Sequence, residues 1–587
     1  MSNSNEKCLF WASFLTLIAA GIGFSMRGAT LLVEWSKQFG FTQTELGGIS
    51  GGGLVGFGIT IIALSFVADR IGYGPLMILA FILHVLSAVV TLAATPVYEA
   101  MGKDACFQCL YWGMFLFALG NGTCEAVINP LTATLFPNNK THWLNILHAG
   151  WPGGLVLGSL LALVFNKVGG IRWEIQVAMF LIPVLAYGLL MFGRSFPKSE
   201  AVASGVTSKD MLKELGLLGA GVVVALLGLW LSGVLAGFGL PGVLGWGVAA
   251  LMLVGFGFVS EFSLGHWMMA MLLVLHAMVG YVELGTDNWI QKITGSIMAD
   301  EASGMMLFIW TSSLMFALRF FAGPIVHRIS PLGLLFVSGI LGCAGLLLLG
   351  NAYGALACVG AATVYGLGKT FLWPTMLGVV SERFPRGGAV TLGMIGGVGM
   401  LSAGLLGAPG IGYNQDYFAT QDLRTANPTA YNLFESTSQN RFLFFPPING
   451  LDGSKVALLD EDGRKKLESD VQVLRDSGNV LSQGQVEELV KSGKPLTGAQ
   501  SVWRLYYWWQ ANQEQAKEYK GSVVAAVLFG SRMALIYTAA VPAMMAIGYL
   551  ILILYFRAMG GYKAEVLAGH AAEDEKFTGG VEGPAEM

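Results

Sequence analysis

Along most of the chain, apolar residues come in long unbroken runs and not in the three-and-four spacing of a surface helix. A run of about 17 to 25 such residues can cross the roughly 30 Å hydrocarbon layer of a bilayer as a helix. Six of them fall near 9 to 33, 46 to 68, 75 to 95, 107 to 130, 143 to 166 and 173 to 193. The first follows a short polar start with Lys7, and the many spans behind it argue for a retained helix over a cleaved signal. After a polar linker come two runs, 215 to 239 and 243 to 260, with Pro241 between them, which read as a tight hairpin. Five more follow at 266 to 290, 304 to 326, 332 to 350, 352 to 379 and 388 to 409, then a long polar stretch and a final run at 531 to 556. The pattern predicts an all-α polytopic membrane protein of fourteen spans, or twelve plus an inserted hairpin.

Composition agrees with lipid as the main surroundings. The 587 residues are 54% hydrophobic and 12% charged, where soluble domains carry roughly 25% charged side chains. Eighty glycines would weaken helices in water, but between bilayer helices they permit close backbone approach. A net charge of −3 leaves no global basic field for nucleic acid. The six cysteines, Cys106 and Cys109 among them, lie in or beside apolar runs and read as small hydrophobes. No phosphate-cradling loop, zinc-type His-Glu spacing or serine elbow is present, so neither an enzyme nor a cofactor is expected.

Lysine and arginine in short loops set the orientation. Lys7, Arg70, Lys140, Arg194, Lys198, Lys209, Lys213, Arg328, Arg383, Arg386 and Arg557 fall on one side, against Lys37, Lys103, Lys167, Arg172 and Lys292 on the other. The expectation is a cytoplasmic (inner) membrane protein with both termini cytoplasmic. The domains expected are a six-helix bundle over 1–199, a cytoplasmic linker over 200–214 and an inserted transmembrane hairpin over 215–262. A second six-helix bundle is expected over 263–409 and 531–556, with an extracytoplasmic insert over 410–530 and a cytoplasmic tail over 557–587. The insert reads as a small cap, with a partly ordered loop as the alternative. Its aromatic segment Trp503, Tyr506, Tyr507, Trp508 and Trp509 fits an interfacial belt or a helix lying on the bilayer.

Two echoes point to an internal repeat. Glu125 stands five residues before Pro130, and Lys369 five before Pro374; the pairs Phe136-Pro137 and Phe384-Pro385 follow. Phe66 to Leu76 likewise echoes Phe321 to Leu332. The arrangement resembles the major facilitator superfamily. Asp69, Arg70 and Gly72 match the signature loop of that family between its second and third spans, with Ser65 in place of a glycine and Tyr73-Gly74 in place of a basic pair. Glu125 to Pro130, Leu144 to His148 and Pro152 to Gly154 look closest to the proton-coupled fucose, galactose and glucose permease group, although the acidic residue which that group uses in its first span is missing and Arg27 occupies a comparable region. The resemblance implies two six-helix bundles, alternating access, and a gating role for Asp69 and Arg70, for Glu382 and Arg383, and for Arg319 in the second half.

Ionisable groups deep in hydrocarbon cost several kcal/mol unless a cavity or partner receives them. Arg27 in the first span and Glu125 in the fourth are candidates to exchange partners on protonation, the alternative being a static pair that locks helices. Glu283 and Asp287 lie i,i+4 on one helix face and could bind a proton, a solute or Lys369, or form a wetted helix end. Arg27, Asn129, Asn145, His148, Trp151, Lys369 and Trp373 are the candidate solute contacts, and Glu125, Glu283 and Asp287 the proton sites. Satisfied core polar residues and packing tryptophans are the bland alternatives. The expected activity is movement of a small polar solute, a sugar first and a small carboxylate second, coupled to a proton or else to sodium, by a monomer. A non-transporting sensor with a ligand-binding cap is the reading of a different class.

Overall fold

The computed structural model describes residues 3–27, 35, 38–39, 49, 53–168, 171–493, 496, 498–565 and 567. The start of the expected second span, the end of the first, and most of the expected tail lie outside the described residues. Within them the first half has α1 (Asn3–Ser25), α2 (Gly53–Ile71), α3 (Tyr73–Leu92), α4 (Lys103–Leu135), α5 (Lys140–Val168) and α6 (Trp173–Met179 with Leu181–Met191). The hairpin is α7 (Ser208–Gly237) and α8 (Val243–Val259). The second half has α9 (Trp267–Gly280, a π turn Tyr281–Gly285, then Thr286–Met298), α10 (Glu301–Arg319), α11 (Ala322–Gly350) and α12 (Ala355–Lys369 with Leu372–Arg383). It continues with α13 (Gly388–Ser402, a π turn Ala403–Gly407, then Ala408–Ala426) and ends with α14 (Gly498–Thr538 with Ala540–Ala558). Twelve of the described helices are long and apolar enough to cross a membrane; α4, diluted by its polar residues, and the 17-residue α8 add to that number.

The echoes in sequence are echoes in backbone. Gly72, between α2 and α3, adopts φ 87° and ψ 157°. Ser330, inside α11, adopts φ 62° and ψ 162° and divides that helix into the end of one span and the start of the next. Both bend the chain through the left-handed side of φ, at the same place in each half. Phe136 caps α4 at φ −129°, ψ 65°, and Phe384 caps α12 at φ −132°, ψ 51°. In each case the following proline, which cannot extend a helix, fixes the stop.

The halves meet along α2 and α13, and along α5 against α10 and α12. A Cβ on Gly397 would stand 2.3 Å from the Ile62 side chain, and one on Gly153 2.8 Å from Phe316, so glycine is what lets these helices touch. The hairpin packs through α7 on α9 and α13, while α8 reaches the rest of the molecule mainly through α7 and turns Leu251 and Phe258 outward. Gly216 (φ +59°) and Gly265 (φ +72°) make the close crossing at its base, where Leu217 N donates to Ser263 O at 2.8 Å.

The insert departs from expectation in two respects. No helix ends near 410 or 530: α13 runs on to Ala426, and the α14 rod covers 61 residues, about 90 Å at 1.5 Å per residue and three times the hydrocarbon thickness. Two spans therefore extend beyond the bundle as an antiparallel stalk. An antiparallel strand pair (Glu435–Asn440 with Ile448–Leu451) and helices Glu461–Asp476 and Gln483–Lys491 fold against this stalk around their own apolar core. The second correction concerns the aromatic segment. Trp503 and Trp509 are buried in that core, packed with Phe434, Leu467 and Val486, and so act as cap interior and not as an interfacial belt. Aromatic residues in such a helix serve either purpose, and only the presence of partner helices decides.

Candidate functional site

Elements α4 and α5 of the first half and α9, α10 and α12 of the second bring a chain of buried polar groups to the interface between the halves. Glu125 accepts from Asn129 Nδ2 at 2.7 Å, one helical turn on in α4. Asn129 Oδ1 in turn accepts from His148 Nε2 of α5 at 2.9 Å. The backbone carbonyl of His148 accepts from Arg319 Nη1 across the interface at 2.6 Å. Arg319 also binds Glu283 Oε1 at 2.9 Å and donates through Nε to Thr370 O at 2.7 Å. The second oxygen of Glu283 accepts from the backbone N–H of Trp373 at 3.3 Å. All of these side chains are buried. A second crossing lies nearby, where Asn145 Nδ2 donates to Thr375 Oγ1 at 3.1 Å.

One turn beyond Glu283, Asp287 holds Lys369 at 2.5 Å. The π turn Tyr281–Gly285 lies immediately before Asp287 and contains Glu283, and Thr370-Phe371 interrupts α12 immediately after Lys369. Glu283 thus sits within an irregular turn and Asp287 in the first turn of the helix that follows it, and neither forms the wetted helix end weighed above. Trp373 is buried with its ring 4.5 Å from His276, whose two ring nitrogens have no hydrogen-bond partner among the described residues. Trp151 packs instead against Phe24 of α1.

Two expected placements are revised. Arg27 and Glu125 do not pair. The Arg27 guanidinium lies 4.3 Å from the Phe117 ring centroid and 4.8 Å from that of Phe180, with Ser87 Oγ at 3.4 Å, so it faces the interior of the first bundle. Arg319, expected near a gate, lies in the central chain because α10 ends there and its long side chain reaches both Glu283 and His148.

The Asp69 end of the bundle is closed by side chains of both halves. Asp69 accepts from the backbone N–H of Ala389 at 3.2 Å, at the start of α13, and from Tyr73 OH at 3.1 Å. Arg70 Nε donates to Ser208 Oγ at 3.1 Å, at the start of α7. Glu382 accepts from the backbone N–H of Thr141 at 3.1 Å and from its hydroxyl. Lys140 reaches Glu200 at 2.7 Å and Ser381 O at 3.0 Å. Sequence reading singled out neither Thr141, Glu200, Thr375 nor His276. Lys140 reads in sequence only as a loop charge, and Glu200 lies in the expected linker 60 residues on, so nothing local marks the two as a pair.

The sequence pattern of the major facilitator superfamily matches residues 13–408. No curated protein shows significant sequence similarity to the chain. Among solved structures, the chain is similar to the proton:xylose symporter XylE, at 13% identity over 70% of this chain and 88% of that one, with a TM-score of 0.52. It is similar also to the fucose:proton symporter FucP of E. coli, at 14% identity over 70% and 92% of the two chains, with a TM-score of 0.51. A bacterial homolog of the human lysosomal transporter Spinster aligns over 94% of this chain and 97% of its own, at 11% identity and a TM-score of 0.52. With two six-helix halves meeting around buried polar groups and a family pattern spanning two thirds of its length, the chain belongs to the major facilitator superfamily and is a multi-pass secondary carrier of a small solute, working by alternating access and not an enzyme.

Proposed function

We propose that the carrier takes up a small polyhydroxylated solute of the sugar class together with a proton, and that the buried chain from Glu125 to Glu283 couples the two. The observation that supports this most is that the chain runs through both halves. Arg319 balances the charge of Glu283, and Lys369 that of Asp287, which leaves Glu125 as the carboxylate of the chain bound only by neutral or proton-exchanging partners, with His148 Nε2 4.0 Å away. A proton arriving at Glu125 alters the Asn129–His148 bonds, and His148 carries the carbonyl that Arg319 holds from the other half. The neutral donors and acceptors Asn129, Asn145 and Thr375, together with His276 against the Trp373 ring, suit hydroxyl groups and an apolar sugar face. Symporters of xylose and fucose share this fold, which agrees with the reading.

In this reading the Asp69 end is cytoplasmic, as the lysine and arginine bias argues, and Asp69, Arg70, Glu382 and Arg383 form the gate on that side. The cap faces outward. Arg27 supports a second reading, a small organic anion: it is a buried cation with no carboxylate partner among the described residues. Uptake by proteoliposomes of D-glucose, D-xylose, L-fucose and small carboxylates, each at two pH gradients, tests both. Accumulation of a neutral sugar that rises with inward proton gradient supports the first reading; accumulation confined to carboxylates supports the second, and no movement of any solute rejects both.

A further inference from the structure

Beyond α14 the chain does not simply leave the membrane. Gly560 (φ 92°) and Gly561 (φ 107°) reverse it after Met559, with Gly561 N donating to Phe556 O at 2.8 Å. Two left-handed residues in succession favour glycine strongly, so the reversal is written into the sequence. The segment that follows turns back under the bundle. Tyr562 is buried with its ring 5.2 Å from that of Phe556, and its hydroxyl donates to Glu382 Oε2 at 2.7 Å. Burial and the neighbouring Glu382 carboxylate push the Tyr562 phenol well above its usual range, so it stays a proton donor at any working pH.

The contacts continue along the segment. Lys563 O accepts from Arg383 Nη1 at 2.6 Å, Glu565 pairs with Arg383 at 2.9 Å, and Glu565 N donates to Glu382 O at 2.8 Å. These partners belong to the second half. The next contact does not: Leu567 N donates at 2.9 Å to Glu200 Oε1, just after the first half, while the other oxygen of Glu200 holds Lys140. Glu382 meanwhile receives Thr141 from the first half. The tail is therefore covalently part of one half and bonded to two buried carboxylates, Glu382 and the linker residue Glu200, each of which is also held by the first half through Thr141 and Lys140.

We infer that Tyr562 to Glu565 and Leu567 form a strap that holds the two halves together at the Asp69 end, so that release of the tail is a condition for opening there. A tail that merely rested on the second half would gain nothing from a carboxylate that Lys140 of the first half holds, and one that merely closed a helix end would not need Tyr562 at a carboxylate already bound to Thr141. The inference requires two halves that separate at this end and holds whatever the solute is.

The test is the distance between spin labels at Arg194→Cys and Arg386→Cys, both exposed and on opposite halves, measured by double electron–electron resonance in liposomes after replacing the six native cysteines. The full chain is expected to give mainly the short separation. A chain ending at Gly561 should shift the ratio of closed to open populations at least tenfold toward open, and Tyr562→Phe, which keeps the ring on Phe556 and loses the bond to Glu382, should shift it a few-fold the same way. Should the truncated chain fail to insert, Tyr562→Phe carries the test by itself. Distance distributions unchanged from the full chain in Tyr562→Phe, or in both variants, would overturn the strap.

Discussion

Arg319 holds the backbone carbonyl of His148 at 2.6 Å, and so binds the second half of the molecule to a residue whose side chain belongs to the polar chain of the first. A carbonyl cannot be protonated away at any working pH. The bond responds only if His148 moves or if Arg319 is drawn elsewhere, and Glu283, on the same guanidinium, is the group able to draw it. The guanidinium thus carries two fixed carbonyl acceptors, one of them across the interface, and one titratable acceptor.

Removing either partner of the Arg319–Glu283 pair should leave a charge without its counter-charge in a buried site, at a cost of about 3–5 kcal/mol. Arg319→Gln and Glu283→Gln alone should each lower the unfolding midpoint of the purified carrier clearly, and the double variant should lie well above the sum of the two losses, with a coupling above about 1 kcal/mol. Additive losses in detergent unfolding would mean that the two residues do not act as a pair.

Glu125→Gln keeps the geometry of the Asn129 bond and abolishes titration. Equilibrium counterflow of solute should persist, while accumulation driven by a proton gradient should disappear. Full accumulation by this variant in proteoliposomes would place the coupling proton elsewhere, with Glu283 the next residue to examine.

How much of this was legible from the chain follows from what a sequence can carry. Glu125, Lys369 and Arg27 stand out because charge inside an apolar run is rare and costly. The two halves were visible because the stops at Phe136-Pro137 and Phe384-Pro385 depend on local chemistry. Pairing was not visible: periodicity places Arg27 in a helix, but only the packing of α1 against Phe117 and Phe180 decides that it faces away from Glu125. Lys140 reads as a wetted loop charge, and Glu200 goes unmarked in the linker, until the tail and the α12 end bury them. His276 and Thr375 carry no charge, so nothing separates them in sequence from the many neutral polar residues of the spans.

Gly388 opens α13 at φ +51°, ψ −137°, a conformation that other residues hold at a cost of about 1–3 kcal/mol. A Cβ there would also stand 2.8 Å from Asp69 Oδ2. Gly388→Ala should therefore displace the Asp69 carboxylate from Ala389 and favour opening at this end, seen as lengthened distances between the Arg194→Cys and Arg386→Cys labels. Gly193→Ala supplies the comparison, since Gly193 has φ +69° with nothing within 4 Å of the added carbon. It should strain the backbone and leave the distances alone; equal shifts from both would assign the effect to general destabilisation.

The cap supplies the last prediction, because its stability rests on a core separate from that of the bundle. Trp503 is buried there, donates through Nε1 to Asn479 O at 2.9 Å, and stacks at 5.8 Å on Tyr507. Its loss removes a large side chain and the donor of the Asn479 carbonyl together, at a cost of about 3–5 kcal/mol, a large share of what a small domain has. Trp503→Ala should expose the helix Glu461–Asp476 to trypsin, with cleavage after Lys465 and Arg475 at least tenfold faster than in the parent. The stalk should survive, since Gly530 packs directly on Ala419 within the α13–α14 pair and does not involve Trp503. Unchanged cleavage would show that the cap does not depend on this tryptophan, and loss of the whole protein from the membrane would show that the two cores are not independent.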